Sequence, residues 1–481
     1  MPPRTVSVAA ALLVLCAGTA SATELRVTNA AVSRPAGSAG LTVTAQVAWK
    51  NGWRTARNHD AVWLFVKLRG RPASEWAHGR LRAVTGTPLT AAGVAAKCEV
   101  TVDRIGAFCE SGTTHRGSVE WTLSLEVEPG RISATDLSAG TVEARVYAIE
   151  MVYVPAGPFS VGDLDPKSAT FAAFYQSNAA GEHAGLFPVT SEAPIRVAPE
   201  AGALYYQSRT VQYEGDRQGP VPAEFPKGTR AFYTMKYEVS QGQYADFLNS
   251  ISREFSPFRS PIGGLSYLAE RGTIRIEGNR YVAGSPDRPA NWISWDDGLA
   301  FADWAGLRPM TELEFTKAVR GPDTPVAGDY PWGSVSKDRL LRRMGADDEL
   351  VRTGEADESR LTDSTRDVFG ASFYWVMDLA GSVWERTVTI GHPRGRAFKG
   401  THGDGVLRSY GQATNTDWPA GDHDGGGYGY RGGGYYERGM PDREFNPYGP
   451  TEWRRYGSWG GAPRSIAYGF RAVRTADTVV R

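Results

Sequence analysis

The sequence predicts an α+β protein in which an N-terminal β-sandwich precedes a larger domain with little regular secondary structure. Between residues 23 and 148, apolar and polar residues alternate in several short segments, as half-buried strands require. After residue 149, three helices can be placed from their capping residues, and the remainder is rich in Gly, Pro and Trp. A chain of 481 residues is long enough for two such domains.

Residues 1–22 have the pattern of a secretory signal peptide. Arg4 precedes the apolar run VSVAAALLVLCAG, and the small residues ASA, ending at Ala22, follow it. The run is shorter than the roughly 20 residues that a transmembrane helix needs. A lipoprotein signal is disfavoured because the bulky Leu15 precedes Cys16. We therefore expect cleavage after Ala22 and a secreted or periplasmic mature protein without an integral membrane segment.

The strands predicted for the sandwich are separated by Gly, Pro, Asn and Asp residues. Their sequences are LRVTNAAV, LTVTAQVAW, AVWLFVKLR, KCEVTVD, VEWTLSLEVE and TVEARVYAIE. No helical period interrupts them, which indicates a β-sandwich over residues 23–148. No linker rich in Ser, Gly or Pro follows the last strand, so we expect it to run directly into the second domain, residues 149–481, in a fixed orientation.

Two cysteines remain after export, Cys98 and Cys109. The sequence KCEVTVDRIGAFCES alternates on both sides of residues 103–106, so a hairpin would place the two sulfurs nearly opposite each other. In an oxidising compartment this pattern favours a disulfide. A metal-binding thiol pair is the alternative, although the chain has neither a CxxC spacing nor a His cluster nearby.

Three helices of the second domain are predicted from their N-terminal capping residues. Ser240 can cap QGQYADFLNSI, and Ser294 can cap WDDGLAFADWAG. Thr311 and Glu314 form a capping box before FTKAV, and Gly321 ends that helix.

The charge balance excludes two classes of partner. The 53 basic and 53 acidic residues cancel. A neutral chain lacks the basic surface of a nucleic-acid-binding protein and has no long-range attraction to anionic membranes. Any partner must therefore be recognised by local contacts.

Several motifs occur in a fixed order through the second domain. They are MVYVPAGPFSVGD from Met151, YEVSQGQYADFL from Tyr237, RPMTELEFTKAVRG from Arg308, YPWG from Tyr330, DLAGSVWERT from Asp378 and GFRAVR from Gly469. In this order they closely resemble the formylglycine-generating enzyme (sulfatase-modifying factor) family. The resemblance implies an elaborated C-type-lectin-type fold over nearly the whole second domain.

The resemblance also implies a calcium site in DLAGSVWERT. Its matching positions are Asp378, Gly381, Val383 and Glu385, of which the middle two supply backbone carbonyls. Oxygen donors of this kind suit calcium, whereas zinc prefers His or Cys. Alternatively, Glu385 pairs only with Arg386 or Arg396 and no ion is bound. A second family calcium site would fall within ADDELVRTGEADESR, where the matching residues cannot be assigned.

The catalytic cysteines of the family have no counterpart here. Their positions fall near Gly405 and Tyr410, and no cysteine follows Cys109. Without a soft thiolate, copper(I) binding and formylglycine formation are not expected. The residues His402, Asp404 and His423 are the alternative candidates for a mononuclear metal site or an acid–base pair. The iron-binding HxxxHxE motif of ergothioneine-forming relatives is absent.

Residues 421–461 are rich in Gly and aromatic residues, as in GGGYGYRGGGYYERG. Such a segment is either a packed insertion or a recognition loop. In the second case its aromatic and basic side chains would contact a ligand. The candidate binding residues are Trp418, Tyr428, Tyr430, Arg431 and Trp459.

Two functional hypotheses follow. The first is an exported, non-catalytic family member that binds a protein, peptide or glycan and functions in a surface or secretion assembly. The second is an oxidoreductase that modifies an exported peptide or small molecule without cysteines, as the pyoverdine-maturation relative suggests. A stoichiometric transition metal would favour the second hypothesis, and calcium alone would favour the first.

Overall fold

The computed structural model describes most of the chain from residue 25 onward. The described residues are 25–35, 38, 40–71, 75–263, 267–268, 271–344, 350–352, 358–421, 426–434, 449–461 and 464–477. The predicted signal peptide, residues 1–22, therefore lies outside them. Among the described residues, no helix is both long and apolar enough to cross a membrane.

The first part of the chain consists almost entirely of strands, with one short helix. The strands are β1 (Arg26–Ser33), β2 (Leu41–Arg54), β3 (Asp60–Arg69), β4 (Ala77–Pro88), β5 (Ala96–Val100), β6 (Ala107–Ser111), β7 (His115–Glu128) and β8 (Glu143–Val154). The helix is α1 (Ala134–Ala139). Sequence analysis missed α1 and β4, because the segment before Pro88 mixes Gly and Arg with few apolar residues.

The second part combines short strands with short helices. Its strands are β9 (Phe159–Val161), β10 (Tyr175–Gln176), β11 (Phe187–Val189), β12 (Leu204–Tyr205), β13 (Phe232–Met235), β14 (Ile274–Glu277), β15 (Arg280–Ala283), β16 (Arg308–Pro309), β17 (Arg342–Met344), β18 (Leu350–Arg352), β19 (Trp384–Val388), β20 (Leu407–Arg408), β21 (Gln412–Ala413), β22 (Tyr428–Arg431), β23 (Tyr468–Gly469) and β24 (Ala472–Thr475). Its α-helices are α2 (Gln241–Leu248), α3 (Ser256–Arg259), α4 (Trp295–Trp304), α5 (Glu312–Arg320), α6 (Arg366–Phe369) and α7 (Pro393–Arg396). The mixture of helix and sheet agrees with the predicted α+β class.

One hydrogen-bonded sheet connects the two parts. Its strand order is β1-β2-β7-β4-β3-β8-β13-β24-β16, and the hairpin β5-β6 pairs with β3. Strand β8 spans the predicted boundary between residues 148 and 149. It pairs with β3 on one side and with β13 on the other. The last strand of the first part thus continues into the second part, and the two parts share one sheet.

Strand β3 is buried on both faces. Val62, Leu64 and Val66 contact the apolar core of the first part, whereas Trp63 and Phe65 contact the core of the second. Trp63 Nε1 also donates to the carbonyl of Ala305 at 2.7 Å. This double burial explains why the run AVWLFVKLR is almost continuously apolar.

The three predicted helices form with their predicted caps. Ser240, Ser294 and Thr311 each accept a hydrogen bond from the third helical N–H, in capping boxes with Gln243, Asp297 and Glu314. Helix α5 ends at Gly321, which has a φ of 61°. Local capping signals were therefore sufficient to place these helices.

The disulfide prediction is confirmed. Strands β5 and β6 form an antiparallel hairpin in which Cys98 lies directly opposite Cys109, and the two sulfurs are bonded. Both cysteines of the described residues are thus covalently used in the first part of the chain.

Candidate functional site

The segment 399–410, which the resemblance matches to the cysteine-bearing segment of the family, lies against the end of α4. Gly403 N–H donates to the carbonyl of Leu307 at 2.8 Å, and Gly405 N–H donates to the carbonyl of Asp303 at 3.0 Å. The fully buried Asp303 carboxylate also accepts the N–H of Asp404 at 2.9 Å. Burial raises the pKa of Asp303 to about 6. These bonds hold the segment in one backbone conformation.

The predicted acid–base candidates in this segment are already hydrogen-bonded. His402 Nε2 accepts the N–H of Thr475 at 3.1 Å. Burial, with the charges of Arg474 and Arg308, lowers the pKa of His402 well below its usual value. This imidazole is therefore neutral, and its Nε2 lone pair is occupied.

Asp404 is exposed and serves a local turn. One of its carboxylate oxygens, Oδ1, accepts the N–H of Val406 at 2.9 Å. The third candidate, His423, lies outside the described residues. Within the described part of the chain, no three His, Cys, Asp or Glu side chains are grouped so that they could hold a metal ion.

A cavity of about 490 Å³ lies beside this segment, between the two parts of the chain. Its lining includes Lys67 and His78 from the first part, and Trp304, Asp404 and Val406 from the second. A cavity of this size suits a small ligand or one unit of a larger one. Sequence analysis missed Lys67 and His78. One signal in the sequence could have identified Lys67, namely that it is a lysine within the otherwise apolar run of β3.

Lys67 connects the two parts at the wall of this cavity. Its buried ammonium donates to the carbonyl of Trp304 at 2.9 Å and to that of Gly405 at 3.2 Å. Its third bond, at 3.0 Å, goes to Nδ1 of His78, whose Nε2 is 2.6 Å from the carbonyl of Ile105. Because a carbonyl only accepts, His78 carries its proton on Nε2 and accepts at Nδ1. Burial lowers the pKa of Lys67 to about 7, although Asp303 and Asp404 oppose this shift.

His78 fills the space in which a side chain at position 405 would lie. The residue has a φ of 80°, and a Cβ atom placed on it would lie 2.1 Å from His78 Nδ1. An L-residue with a side chain would therefore be strained and would displace the imidazole. The position at which a first catalytic cysteine was expected is thus occupied by a contact with the first part of the chain.

The candidate binding residues of the Gly-rich segment require a correction. Four of them, Trp418, Tyr428, Tyr430 and Arg431, are buried, and only Trp459 is half-buried. Tyr428 stacks on Trp295 with ring centroids 4.6 Å apart and donates to the carbonyl of Gly460 at 2.7 Å. Strand β22 pairs with β19, which carries these side chains into the core. They hold the fold together instead of presenting a recognition surface.

Arg431 and Trp459 illustrate the same point. Arg431 donates to the carbonyl of Thr451 at 3.0 Å and to Thr316 Oγ1 at 3.1 Å. Trp459 packs on Tyr430 with a centroid distance of 5.5 Å. Neighbours distant in sequence therefore supply the partners that a ligand was expected to supply.

The turn predicted to bind calcium is tightly curled. Asp378, Gly381 and Ser382 all have φ between 62° and 79°. Glu238 lies at the same turn, where its Oε1 accepts the N–H of Val383 at 3.1 Å. Glu238 is therefore a carboxylate in contact with the turn that the sequence did not identify.

Glu385 forms a buried ion pair with Arg471. The guanidinium donates through Nη2 to Oε1 at 2.6 Å and through Nε to Oε2 at 2.8 Å. The predicted alternatives, Arg386 and Arg396, have other partners: Arg386 bonds to Ile293, and Arg396 pairs with Asp216. This corrects the alternative interpretation, because Glu385 is paired but with a residue 86 positions away.

The donor set of this turn fits calcium. It contains oxygen ligands only, and calcium accepts six to eight oxygens in loose geometry. Each carboxylate oxygen has two lone pairs, so Glu385 can accept from Arg471 and still ligate a cation. The region of the second predicted site, residues 346–360, lies mostly outside the described residues.

The sequence is similar to a known protein family and to several of its members. The sulfatase-modifying factor enzyme 1-like domain matches residues 139–476. The formylglycine-generating enzyme of Thermomonospora curvata is 30% identical over 245 residues, which are 49% of this chain and 69% of that protein. The formylglycine-generating enzyme of Bos taurus is 24% identical over 44% of this chain and 62% of its own length. Hercynine oxygenase of Mycolicibacterium smegmatis is 33% identical over 104 residues, covering 21% of this chain and 22% of the oxygenase.

Proposed function

The chain belongs to the sulfatase-modifying factor enzyme 1-like family, and from this premise we propose that it is an exported, non-catalytic member that binds a protein, peptide or glycan. The proposal includes the finer fold assignments made from the sequence, a β-sandwich followed by a C-type-lectin-type domain. One observation carries it: the segment Lys399–Tyr410 contains no cysteine, and His78 closes the position of Gly405.

The available donors do not suit the copper chemistry that the resemblance implies. Copper(I) prefers soft thiolate or thioether ligands. In the described part of the chain both cysteines, Cys98 and Cys109, form a disulfide on the β5-β6 hairpin. In the segment itself, His402 already accepts a hydrogen bond from the backbone, and the Asp404 carboxylate is a hard oxygen donor. Nothing in this set replaces two thiolates.

The cavity beside Gly405 supports a binding role. It is lined by the exposed carboxylate of Asp404 and the apolar surface of Trp304 and Val406, whereas the three donors of Lys67 are already used within the protein. A few polar groups on an apolar wall fix the orientation of a ligand. The volume of about 490 Å³ suits one sugar unit or one or two peptide residues.

Calcium binding at the turn of Asp378 to Glu385 is part of the proposal. Here the ion would be structural. It would be held by the carboxylates of Asp378 and Glu385 and the carbonyls of Gly381 and Val383. It would supply no redox chemistry, because calcium has a single stable oxidation state.

The test is an oxidation assay. The mature protein is incubated with copper, oxygen, a thiol reductant and a cysteine-containing sulfatase peptide, and the peptide is followed by mass spectrometry. We expect no formylglycine, whereas the Thermomonospora curvata enzyme, as the positive control, should convert the peptide. Copper-dependent turnover by this chain would overturn the proposal.

Metal analysis separates the proposal from the oxidoreductase alternative, which is favoured by relatives such as hercynine oxygenase. We expect calcium and no stoichiometric transition metal in the purified protein. A transition metal that is lost in His402→Ala and His423→Ala variants would instead support a cysteine-independent oxidoreductase.

A further inference from the structure

A second, larger cleft lies at the opposite end of β3 from the Lys67 cavity. Its volume is about 1310 Å³. The residues that the argument uses are Arg54, His59, Lys97, Glu110, Tyr153 and Arg230. The first four precede residue 139, where the family match begins. The other two, Tyr153 and Arg230, lie within the matched range, so the cleft is formed jointly by the matched domain and the part of the chain that precedes it.

One wall of the cleft is a rigid aromatic surface. The rings of His59 and Tyr153 stack in parallel, with centroids 4.8 Å apart and an angle of 11° between planes. Phe108 and Tyr233 stack at 3.7 Å with an angle of 14°. Tyr153 is half-buried, so part of its ring remains exposed to the cleft. A fixed aromatic face binds a rigid ring at little cost in conformational entropy.

Several basic side chains surround one carboxylate in this cleft. Glu110 pairs with Arg54 at 2.8 Å, with Lys97 at 3.0 Å and with His59. Burial raises the pKa of Glu110, but the hydrogen bonds and charges of His59 and Lys97 outweigh this and hold it at about 2. Glu110 therefore stays ionised and orders the basic groups around it.

Several N–H donors of these basic groups are unused. Arg54 contacts Glu110 and the carbonyl of Ser111 through Nη1 alone, which leaves Nε and Nη2. Lys97 uses two of its three donors, on Glu110 and Glu99. Arg230 is exposed, and within the described residues its guanidinium has no partner. These donors are available to an anionic group that enters the cleft.

The acidic and basic residues that line the cleft are similar in number. The lining contains the basic residues Arg54, Arg57, Lys97 and Arg230 and the acidic residues Glu99, Glu110 and Asp477. Arg57 is paired with Asp363. Asp477 accepts the N–H of Val102 at 2.7 Å. The three remaining basic residues and the three acidic residues balance, so the unused N–H donors, and not a net charge, would hold an anionic group.

We propose that this cleft binds an acidic saccharide, with a sugar ring against Tyr153 and its carboxylate on Arg54, Lys97 and Arg230. The C–H groups on one face of a sugar ring are weakly positive and complement the negative face of an aromatic ring. A carboxylate forms charge-assisted hydrogen bonds with guanidinium and ammonium groups. An acidic peptide has the carboxylate without the rigid ring, and a neutral sugar has the ring without the charge.

The experiment is calorimetric titration of the full mature chain with three probes of similar size. They are trigalacturonate, neutral maltotriose and triglutamate. We expect trigalacturonate to bind at least tenfold more tightly than either control probe, and its affinity to fall as salt is added. Equal or tighter binding of triglutamate would overturn the proposal, as would the absence of trigalacturonate binding.

Substitutions of the lining residues test whether the ligand binds in this cleft. Arg54→Gln with Lys97→Met should weaken trigalacturonate binding by about tenfold or more, because both charged donors are lost. Arg230→Gln changes an exposed residue without a partner, so the fold is preserved, and we expect a loss of about threefold. Tyr153→Ile removes the ring but retains strand propensity, and should also weaken binding.

Arg196→Gln is the matched control, since it removes one exposed arginine that does not line the cleft. Unchanged affinity in the folded Arg230→Gln and double variants, or an equal loss in Arg196→Gln, would overturn the assignment. The assay does not involve oxidation, so its result is independent of the test of the proposed function.

Discussion

Arg471 and Lys67 are buried cations of the same protein with different surroundings. Arg471 precedes β24 and forms two hydrogen bonds to the carboxylate of Glu385. Lys67 lies on β3 and bonds only to neutral acceptors, namely two carbonyls and His78. Both side chains are at most 1% exposed. The first cation is neutralised by an ion pair, whereas the second, at the contact between the two parts, has no carboxylate among its hydrogen-bond partners.

This difference separates two ways of holding a fold together. A buried ion pair is costly to break, because loss of one partner leaves the other charge unpaired. A buried ammonium with neutral partners can instead lose its proton, so the free energy of unfolding depends on pH. The Arg471 pair should therefore be sensitive to mutation, and the Lys67 contact should be sensitive to pH.

The largest effect is expected at the ion pair. Glu385→Gln keeps the size of the side chain but leaves Arg471 without its anion, so the free energy of unfolding should fall by about 3–5 kcal/mol. Urea unfolding followed by circular dichroism measures the loss. As a control, Glu200→Gln breaks an exposed pair with Arg196 and should remain within about 0.5 kcal/mol of wild type. A loss at Glu385 no larger than that of the control would show that the pair is not a principal contact.

The contrast also shows what the sequence could predict. The capped helices α2, α4 and α5 and the hairpin with Cys98 and Cys109 were predicted because their signals lie within a few residues of one another. Glu385 was selected by its motif, but its partner Arg471 lies 86 residues further along the chain. Local patterns identify elements, whereas partners depend on the sheet that brings distant strands together.

The candidate site was harder to predict for the same reason. Lys67 and His78 meet Gly405 across more than 300 residues, through a contact between the two parts. The Gly-rich composition around Tyr428 and Tyr430 left a packed insertion and an exposed recognition loop equally open, and pairing of β22 with β19 buries both rings. Composition indicates that a segment lacks helix. It does not indicate which side of the segment faces solvent.

Calcium removal tests whether the Glu385 turn has a function beyond the ion pair. An ion that binds only the native state stabilises it by about 2.7 kcal/mol at a hundredfold excess over its Kd. Excess chelator should therefore lower the melting temperature by several degrees in a scanning calorimeter. Asp378→Ala should abolish the chelator effect, whereas Asp404→Asn, a change at an exposed carboxylate outside the turn, should retain it. Equal melting temperatures with and without chelator would contradict calcium binding.

The smallest expected effect is the change in the free energy of unfolding with pH that is due to Lys67. Burial lowers its pKa to about 7 from an ordinary value near 10.5. Between these values the unfolded chain binds a proton that the folded chain does not, so stability rises with pH by about 1 kcal/mol per pH unit. Below pH 7 the penalty for burying the charge is constant, and above 10.5 it vanishes.

Lys67→Met isolates this contribution. The range from pH 7.5 to 9.5 lies above the pKa of His78, which burial lowers well below 6.5, and above that of Asp303, which is raised to about 6. Lys227 and Lys317, whose pKa values burial lowers to about 8, titrate in the same range but contribute to wild type and variant alike. The difference between wild type and Lys67→Met in free energy of unfolding should therefore shift by about 2 kcal/mol across this range.

The control for this measurement is Lys399→Met, which removes an exposed lysine. Its difference from wild type should not change with pH. Parallel curves for wild type and Lys67→Met would mean that the ammonium keeps its proton throughout this range. Lys67 would then be permanently charged, as Arg471 is. The two cations would differ only in their partners, which are three neutral acceptors for Lys67 and a carboxylate for Arg471.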